Sequence, residues 1–303
     1  MLKGRFAKYS ISLQLLLLLC LIFLCGQFFL GMGIALASVL YGVSFEEVIA
    51  VFSDFHRGGS REIFKLVQGI SSIGTFLVPS LIAAYLFTLQ PARLMGTQRF
   101  PKPAWLIGIS IVLMAYSMGA ISDLLFRLSN VLPWPDFLAD NLEQSQEIML
   151  GTYENILNMS GPLDFVQVLI IMAVIPAIAE ESLFRGLIQP LLGRNMNRHL
   201  AILITSLSFA LLHGQHLAFL SIFVLGMVLG YLREWSSSIW PSTILHLINN
   251  GVIVVWVYFG DYDYRQALLD EQAIQWAETG VLIAIFITSL FLYRHLSLKQ
   301  AVD

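Results

Sequence analysis

Residues 176–190 read Pro176-Ala-Ile-Ala-Glu180-Glu181-Ser-Leu-Phe-Arg185-Gly-Leu-Ile-Gln-Pro190, and almost everything around them is apolar. Two adjacent carboxylates and a guanidinium therefore sit inside a hydrophobic run. An ionisable group inside a bilayer costs roughly 3 kcal/mol or more, even on lenient insertion scales. Helical spacing puts Glu181 and Arg185 four residues apart on one face, where they can pair. Glu180 points about 100° away around the same helix. Counted back from a helix end near Leu192, Glu180 lies about 18 Å deep at 1.5 Å per residue. A buried ion pair locking two spans together accounts for Glu181 and Arg185 but leaves Glu180 over. Pro176, four residues before Glu180, removes a backbone donor and is expected to kink or loosen the helix.

The rest of the chain has the composition of a membrane protein. Of its 303 residues 57% are hydrophobic and 12% charged, against about 25% charged in a soluble domain. The net charge of −3 argues against nucleic acid as a partner. Cys20 and Cys25 lie in the first apolar segment without metal-ligand spacing, and read as small packing residues. The basic start (Lys3, Arg5, Lys8) precedes an apolar run from Ile11 to Leu40. That run is far longer than the roughly 7–15 residues of a signal core, so it is read as an uncleaved first span.

Eight segments are candidate spans: approximately 12–40, 64–89, 104–128, 164–190, 199–216, 217–233, 239–259 and 278–294. The fifth and sixth are short and nearly continuous. The fold class expected is all-α, a polytopic membrane bundle of about eight transmembrane helices. Arg93, Arg99, Lys102, Arg194, Arg198, Arg233, Arg294 and Lys299 then fall on one side with the basic start. Glu46, Glu47, Asp54, the acidic 136–154 stretch, Asp261, Asp263, Asp270 and Glu271 fall on the other. By the positive-inside rule both termini are cytoplasmic, and the arrangement suits a bacterial inner membrane. Trp134 and Phe137 in the long 129–162 loop suggest a segment at the outer interface, a solvated loop being the plainer reading. Tyr262, Tyr264 and Trp276 are plausible interfacial anchors, and His216 reads as interfacial too.

Two further polar motifs follow the first. Phe209-Ala-Leu-Leu-His213 places a ring and an imidazole on one helical face. His246-Leu-Ile-Asn249-Asn250 places His246 and Asn250 on one face, behind a helix start at Pro241. Alone, His213 could simply bond a serine such as Ser206 or Ser208, and an Asn in a span can be interhelical glue. Together the three motifs supply what hydrolysis of an amide by an activated water needs. A carboxylate and a histidine can share a water and take its proton. A second donor pair can hold the oxyanion of the tetrahedral intermediate. Serine catalysis lacks a Gly-x-Ser-x-Gly turn, and neither cysteine lies near a histidine.

Glu180-Glu181-x-x-x-Arg185, Phe209-x-x-x-His213 and His246-x-x-x-Asn250, in that order on successive apolar segments, resemble the CPBP family of CAAX prenyl endopeptidases and bacteriocin-processing (Abi) membrane proteins. The resemblance spans roughly residues 164–260, and the first three spans carry no matching motif. It implies an intramembrane glutamic protease without a cofactor. Glu180 and His213 would activate the water, Glu181 and Arg185 would orient that pair and shape the site, and His246 and Asn250 would form the oxyanion hole. The chamber would open toward the cytoplasm and the membrane, admitting a membrane-associated peptide or protein.

The chain is accordingly divided into N-terminal spans with an interfacial loop (1–160), a catalytic helical core (161–260), and a polar loop, final span and cytoplasmic tail (261–303). A divalent metal held by the two Glu and two His is the mechanistic alternative, opposed by Arg185 beside the carboxylates. A non-catalytic membrane scaffold or peptide-binding partner is the alternative function, and an ion- or proton-coupled transporter a third. The lipid bilayer is the remaining partner; substrate identity and oligomeric state are open at this stage.

Overall fold

The computed structural model describes residues 2–52, 60–131, 147, 149–215, 217–260 and 275–299. The readings of Trp134, Phe137, His216, Tyr262 and Tyr264 lie outside these residues. Among the described residues every regular element is a helix: α1 (Ile11–Tyr41), α2 (Phe45–Ala50), α3 (Ser60–Phe87), α4 (Pro91–Met95), α5 (Ala104–Val131), α6 (149–157), α7 (Pro162–Leu192), α8 (Arg198–Leu212), α9 (Phe219–Ser236), α10 (Trp240–Phe259) and α11 (Trp276–Lys299). Seven of them, α1, α3, α5, α7, α9, α10 and α11, are long and apolar enough to cross a bilayer. The eighth expected span is α8, which has 15 residues and reaches about 22 Å at 1.5 Å per residue. The molecule is thus a polytopic, all-helical integral membrane protein. The fifth span is shorter than expected because the helix ends at Leu212 and Gly214 turns left-handed at φ 61°.

Local signals explain the other ends. Ser10 caps α1 by accepting from the Leu13 amide, and Gly42 closes it at φ 66° with its amide donating to the Ser38 carbonyl. Ser44 and Glu47 form a reciprocal capping box at α2. Asn197 caps α8 through the Leu200 amide at 2.9 Å.

Three π-helical turns interrupt the spans, at Ile73–Leu77, Ile170–Val174 and Phe184–Ile188. Each ends two residues before a proline: Pro79, Pro176 and Pro190. Proline cannot donate to the carbonyl four residues back, and its ring crowds it. Widening the preceding turn to i→i+5 bonding relieves both problems, as in the Ile175 amide donating to the Ile170 carbonyl. The loosening expected at Pro176 therefore takes the form of a wider turn. The third π turn contains Arg185, so the α-helical spacing used above to relate Arg185 to Glu181 ends at Leu183.

The chain divides into two compact units. The first contains residues 1–94, 150–183 and 250–268. Its core gathers Ala37 of α1, Val48 of α2, Ile63 and Val67 of α3, Val168 of α7 and Val254 of α10. The α1–α3 contact is close because Gly74 has no side chain: a Cβ there would fall 2.1 Å from Phe29 Cβ. Lys65 of α3 is 3% exposed, and its Nζ donates to Asp164 Oδ1 and Gln167 Oε1 of α7, both at 2.9 Å. Asp164 also accepts from the Ser160 amide at 2.9 Å and from Arg61. These partners satisfy charges that hydropathy places outside the second span, so α3 starts at Ser60 rather than residue 64. Removing the carboxylate leaves two cations facing one another. Asp164→Ala is expected to lower stability by about 2 kcal/mol, below the roughly 3–5 kcal/mol of a fully buried pair because Glu62 still reaches Lys65. A detergent melting curve beside that of the wild type checks this.

The second unit contains residues 95–149, 184–249 and 269–303. Ile107, Ile111, Met114 and Met118 line one face of α5 at helical spacing. They pack with Leu225, Leu229 and Leu232 of α9, Leu245 of α10, and Phe286 and Tyr293 of α11. The Tyr293 hydroxyl donates to the Leu232 carbonyl at 3.1 Å, and Ser221 to the Ser122 carbonyl at 2.8 Å. This core holds α9 and α10 in place around the side chains described next.

Candidate active site

In the second unit three of the motif residues, Arg185, His213 and His246, meet on the ring of a fourth, Phe209. Phe209 of α8 is buried, and its neighbours come from three helices. The Arg185 guanidinium of α7 lies over it, Cζ 4.5 Å from the ring centroid. His213 packs against it at 4.5 Å and 58°, one turn along α8. His246 of α10 meets it edge-on at 5.8 Å and 83°, and Phe184 of α7 at 5.1 Å and 90°. A desolvated cation over an aromatic face is stabilised by about 2 kcal/mol, and edge-to-face rings add roughly 0.5–1.5 kcal/mol each. Phe209 thus sets the positions of Arg185, His213 and His246 together.

His213 is the C-cap residue of α8 and is half-buried. Its Nδ1 stands 2.7 Å from the Phe209 carbonyl. A carbonyl only accepts, so Nδ1 is the protonated nitrogen of this contact, and in the corresponding neutral tautomer the lone pair is at Nε2. That tautomer suits a proton acceptor. His246 is 2% exposed and lies in the first half of α10.

Arg185 is fully buried. Its Nη2 donates to the Gly226 carbonyl of α9 at 3.0 Å. One turn further along α7, Gln189 Nε2 donates to the Gly230 carbonyl, also at 3.0 Å. The two donors are four residues apart, and so are the two acceptors. Both acceptors belong to the small-residue repeat Gly226-Met-Val-Leu-Gly230, which lets helices approach closely in a membrane. A Cβ at Gly226 would sit 3.1 Å from Ser206 Cβ and 3.4 Å from Arg185 Nη2. A Cβ at Gly230 would sit 2.7 Å from Ile202 Cγ2 and 3.2 Å from Gln189 Oε1. Gly230→Ala is therefore expected to separate α8 from α9 and lower stability by about 1–3 kcal/mol, the usual range for overpacking. Melting in detergent tests it, with Gly108→Ala, whose Cβ meets open space, as the neutral reference.

Gly226, Gly230, Gln189 and Phe184 were not singled out in the sequence. The four-residue glycine repeat is the signal that could have found the first two. Gln189, one turn beyond Arg185, is the signal for their donors.

Glu180, Glu181 and Asn250 belong to the first unit. Glu181 is fully buried, whereas Glu180 and Asn250 are partly exposed. The carboxylates occupy the α-helical segment Ile175–Leu183 between the two π turns of α7.

Residues 162–252 match the family model described as type II CAAX prenyl endopeptidase Rce1-like. The match agrees with the resemblance carried by the three motifs, and every motif residue falls inside it. The first three spans and α11 lie outside it. No curated protein and no solved structure matches the chain.

Proposed function

With an Rce1-like segment at residues 162–252 as the premise, we propose that the chain is an intramembrane endopeptidase of the glutamic type. The observation that carries this reading is the meeting of Arg185, His213 and His246, from three helices, on the single buried ring of Phe209. A water oxygen bonds to the scissile carbonyl carbon while Glu180, assisted by His213 Nε2, takes the water's proton. His246 and Asn250 donate to the oxyanion that forms. The proton passes to the amide nitrogen as the C–N bond breaks, leaving a carboxylate and an amine. Glu181 and Arg185 hold the first pair in position, and Arg185 is itself fixed by Phe209 and the Gly226 carbonyl.

No metal enters these steps. The substrate is a membrane-associated peptide or protein, cut at or near the leaflet that faces the basic loops. That side is the cytoplasmic face of a bacterial inner membrane, with both termini on it.

Membranes from cells producing wild-type or Glu180→Gln protein, compared by peptide proteomics, test the reading. At least one cleavage product is expected to disappear in the variant. Identical products with a folded, equally abundant variant would overturn the endopeptidase reading in favour of a scaffold. In the same assay, loss of cleavage on chelation that is restored specifically by zinc would overturn the metal-free chemistry.

A further inference from the structure

We propose that a groove at one end of the second unit binds an anionic phospholipid, its phosphate between Arg198 and Arg294 and one acyl chain along Leu290 and Phe291. The groove is a cavity of about 260 Å³ formed by α8, α9 and α11. It lies outside the motif residues, and the proposal rests on none of the catalytic assignments.

The lining carries two cations held among aromatic rings. Arg198 is the first residue of α8, and Arg294 lies near the C-terminal end of α11. Arg294 Cζ stands 5.8 Å from the centre of the Trp235 ring, and Trp235 stacks on Tyr231 at 5.2 Å and 29°. The Tyr231 hydroxyl is in turn 2.9 Å from His199 Nδ1. A chain of rings therefore links the wall beside Arg198 to the wall beside Arg294. None of the lining residues is a carboxylate, so the groove carries two guanidinium groups without an internal counter-charge.

The same lining is also apolar. Leu290 and Phe291 belong to it, and Phe291 is 62% exposed. A free phosphate or a soluble organic anion would gain nothing from these two side chains. A headgroup joined to a hydrocarbon chain uses the cations and the apolar side chains at once. The volume accommodates a phosphate and its glycerol but not the tails, which therefore run outward along α11.

The location fits the same occupant. Arg198 starts α8, Trp235 is the penultimate residue of α9, and α11 ends at Lys299. These ends carry the basic residues that the positive-inside rule assigns to the anionic leaflet, and Trp and Tyr favour that depth.

The test uses the full chain in detergent, titrated with phosphatidylglycerol or phosphatidylcholine and read by native mass spectrometry. The expected result is one tightly retained phosphatidylglycerol, preferred over phosphatidylcholine by roughly thirty-fold, or about fivefold per arginine. Arg198→Gln combined with Arg294→Gln is expected to abolish the preference, and the corresponding Lys pair to keep most of it. Equal retention of the two lipids by the wild type would overturn the proposal without recourse to any variant. So would an unchanged preference in the double Gln protein. Displacement of the lipid by glycerol phosphate at equal concentration would also overturn it, and would assign the groove to a soluble anion.

Discussion

Replacing Glu180 with Gln is expected to lower peptide-bond cleavage by about 10²–10⁴-fold while the protein still accumulates folded. The amide has the shape of the carboxylate but cannot take a proton from water. At roughly 1.4 kcal/mol per decade the loss corresponds to about 3–5 kcal/mol of transition-state stabilisation. The fold should tolerate the change because Glu180 is partly exposed, whereas its neighbour Glu181 is fully buried. The measurement is the turnover of a substrate peptide in proteoliposomes, together with a melting curve of the same preparation. Wild-type turnover in the variant would remove Glu180 from the role of base and would leave the His213 tautomer without its proposed partner.

The second large effect belongs to Phe209. Phe209→Ala is expected to cost about 3–5 kcal/mol of stability, the range for emptying an aromatic site in a packed interior. Part of this would be absent in water-to-oil reasoning, because lipid is as apolar as the ring. Inside a membrane the loss comes from missing dispersion contacts and from polar groups left without support. The ring is 1% exposed and supports a guanidinium and two imidazoles. Phe209→Leu should recover most of the stability but not the placement of Arg185, so cleavage should stay low in both variants. A melting temperature for Phe209→Ala close to that of the wild type would show that the three motif residues are held by something else.

The helical membrane architecture was legible because charge is rare in this chain and clustered where it occurs. The three motifs were legible for the same reason, since each interrupts an apolar run. Other features depend on contacts that no local pattern expresses. Lys65 and Asp164 lie 99 residues apart and make each other tolerable within a span. Gly226 and Gly230 look like packing residues and are also acceptors for Arg185 and Gln189. Pro176 pointed to a loosened helix, but the form taken there and before Pro79 and Pro190, a π turn ending two residues earlier, depends on how each backbone re-forms its bonds. The short α8 was anticipated as a weak span; its end at Leu212 follows from the left-handed Gly214.

The paired acceptors on α9 have a genetic consequence. The oxygens that receive Arg185 and Gln189 are main-chain atoms, so no codon change at residues 226 or 230 deletes them. Substitutions there can only add bulk, and a mutational scan would score the helix as purely steric. The electrostatic half of the contact is encoded entirely on the partner helix, at Arg185 and Gln189, and only variants of those two residues can expose it.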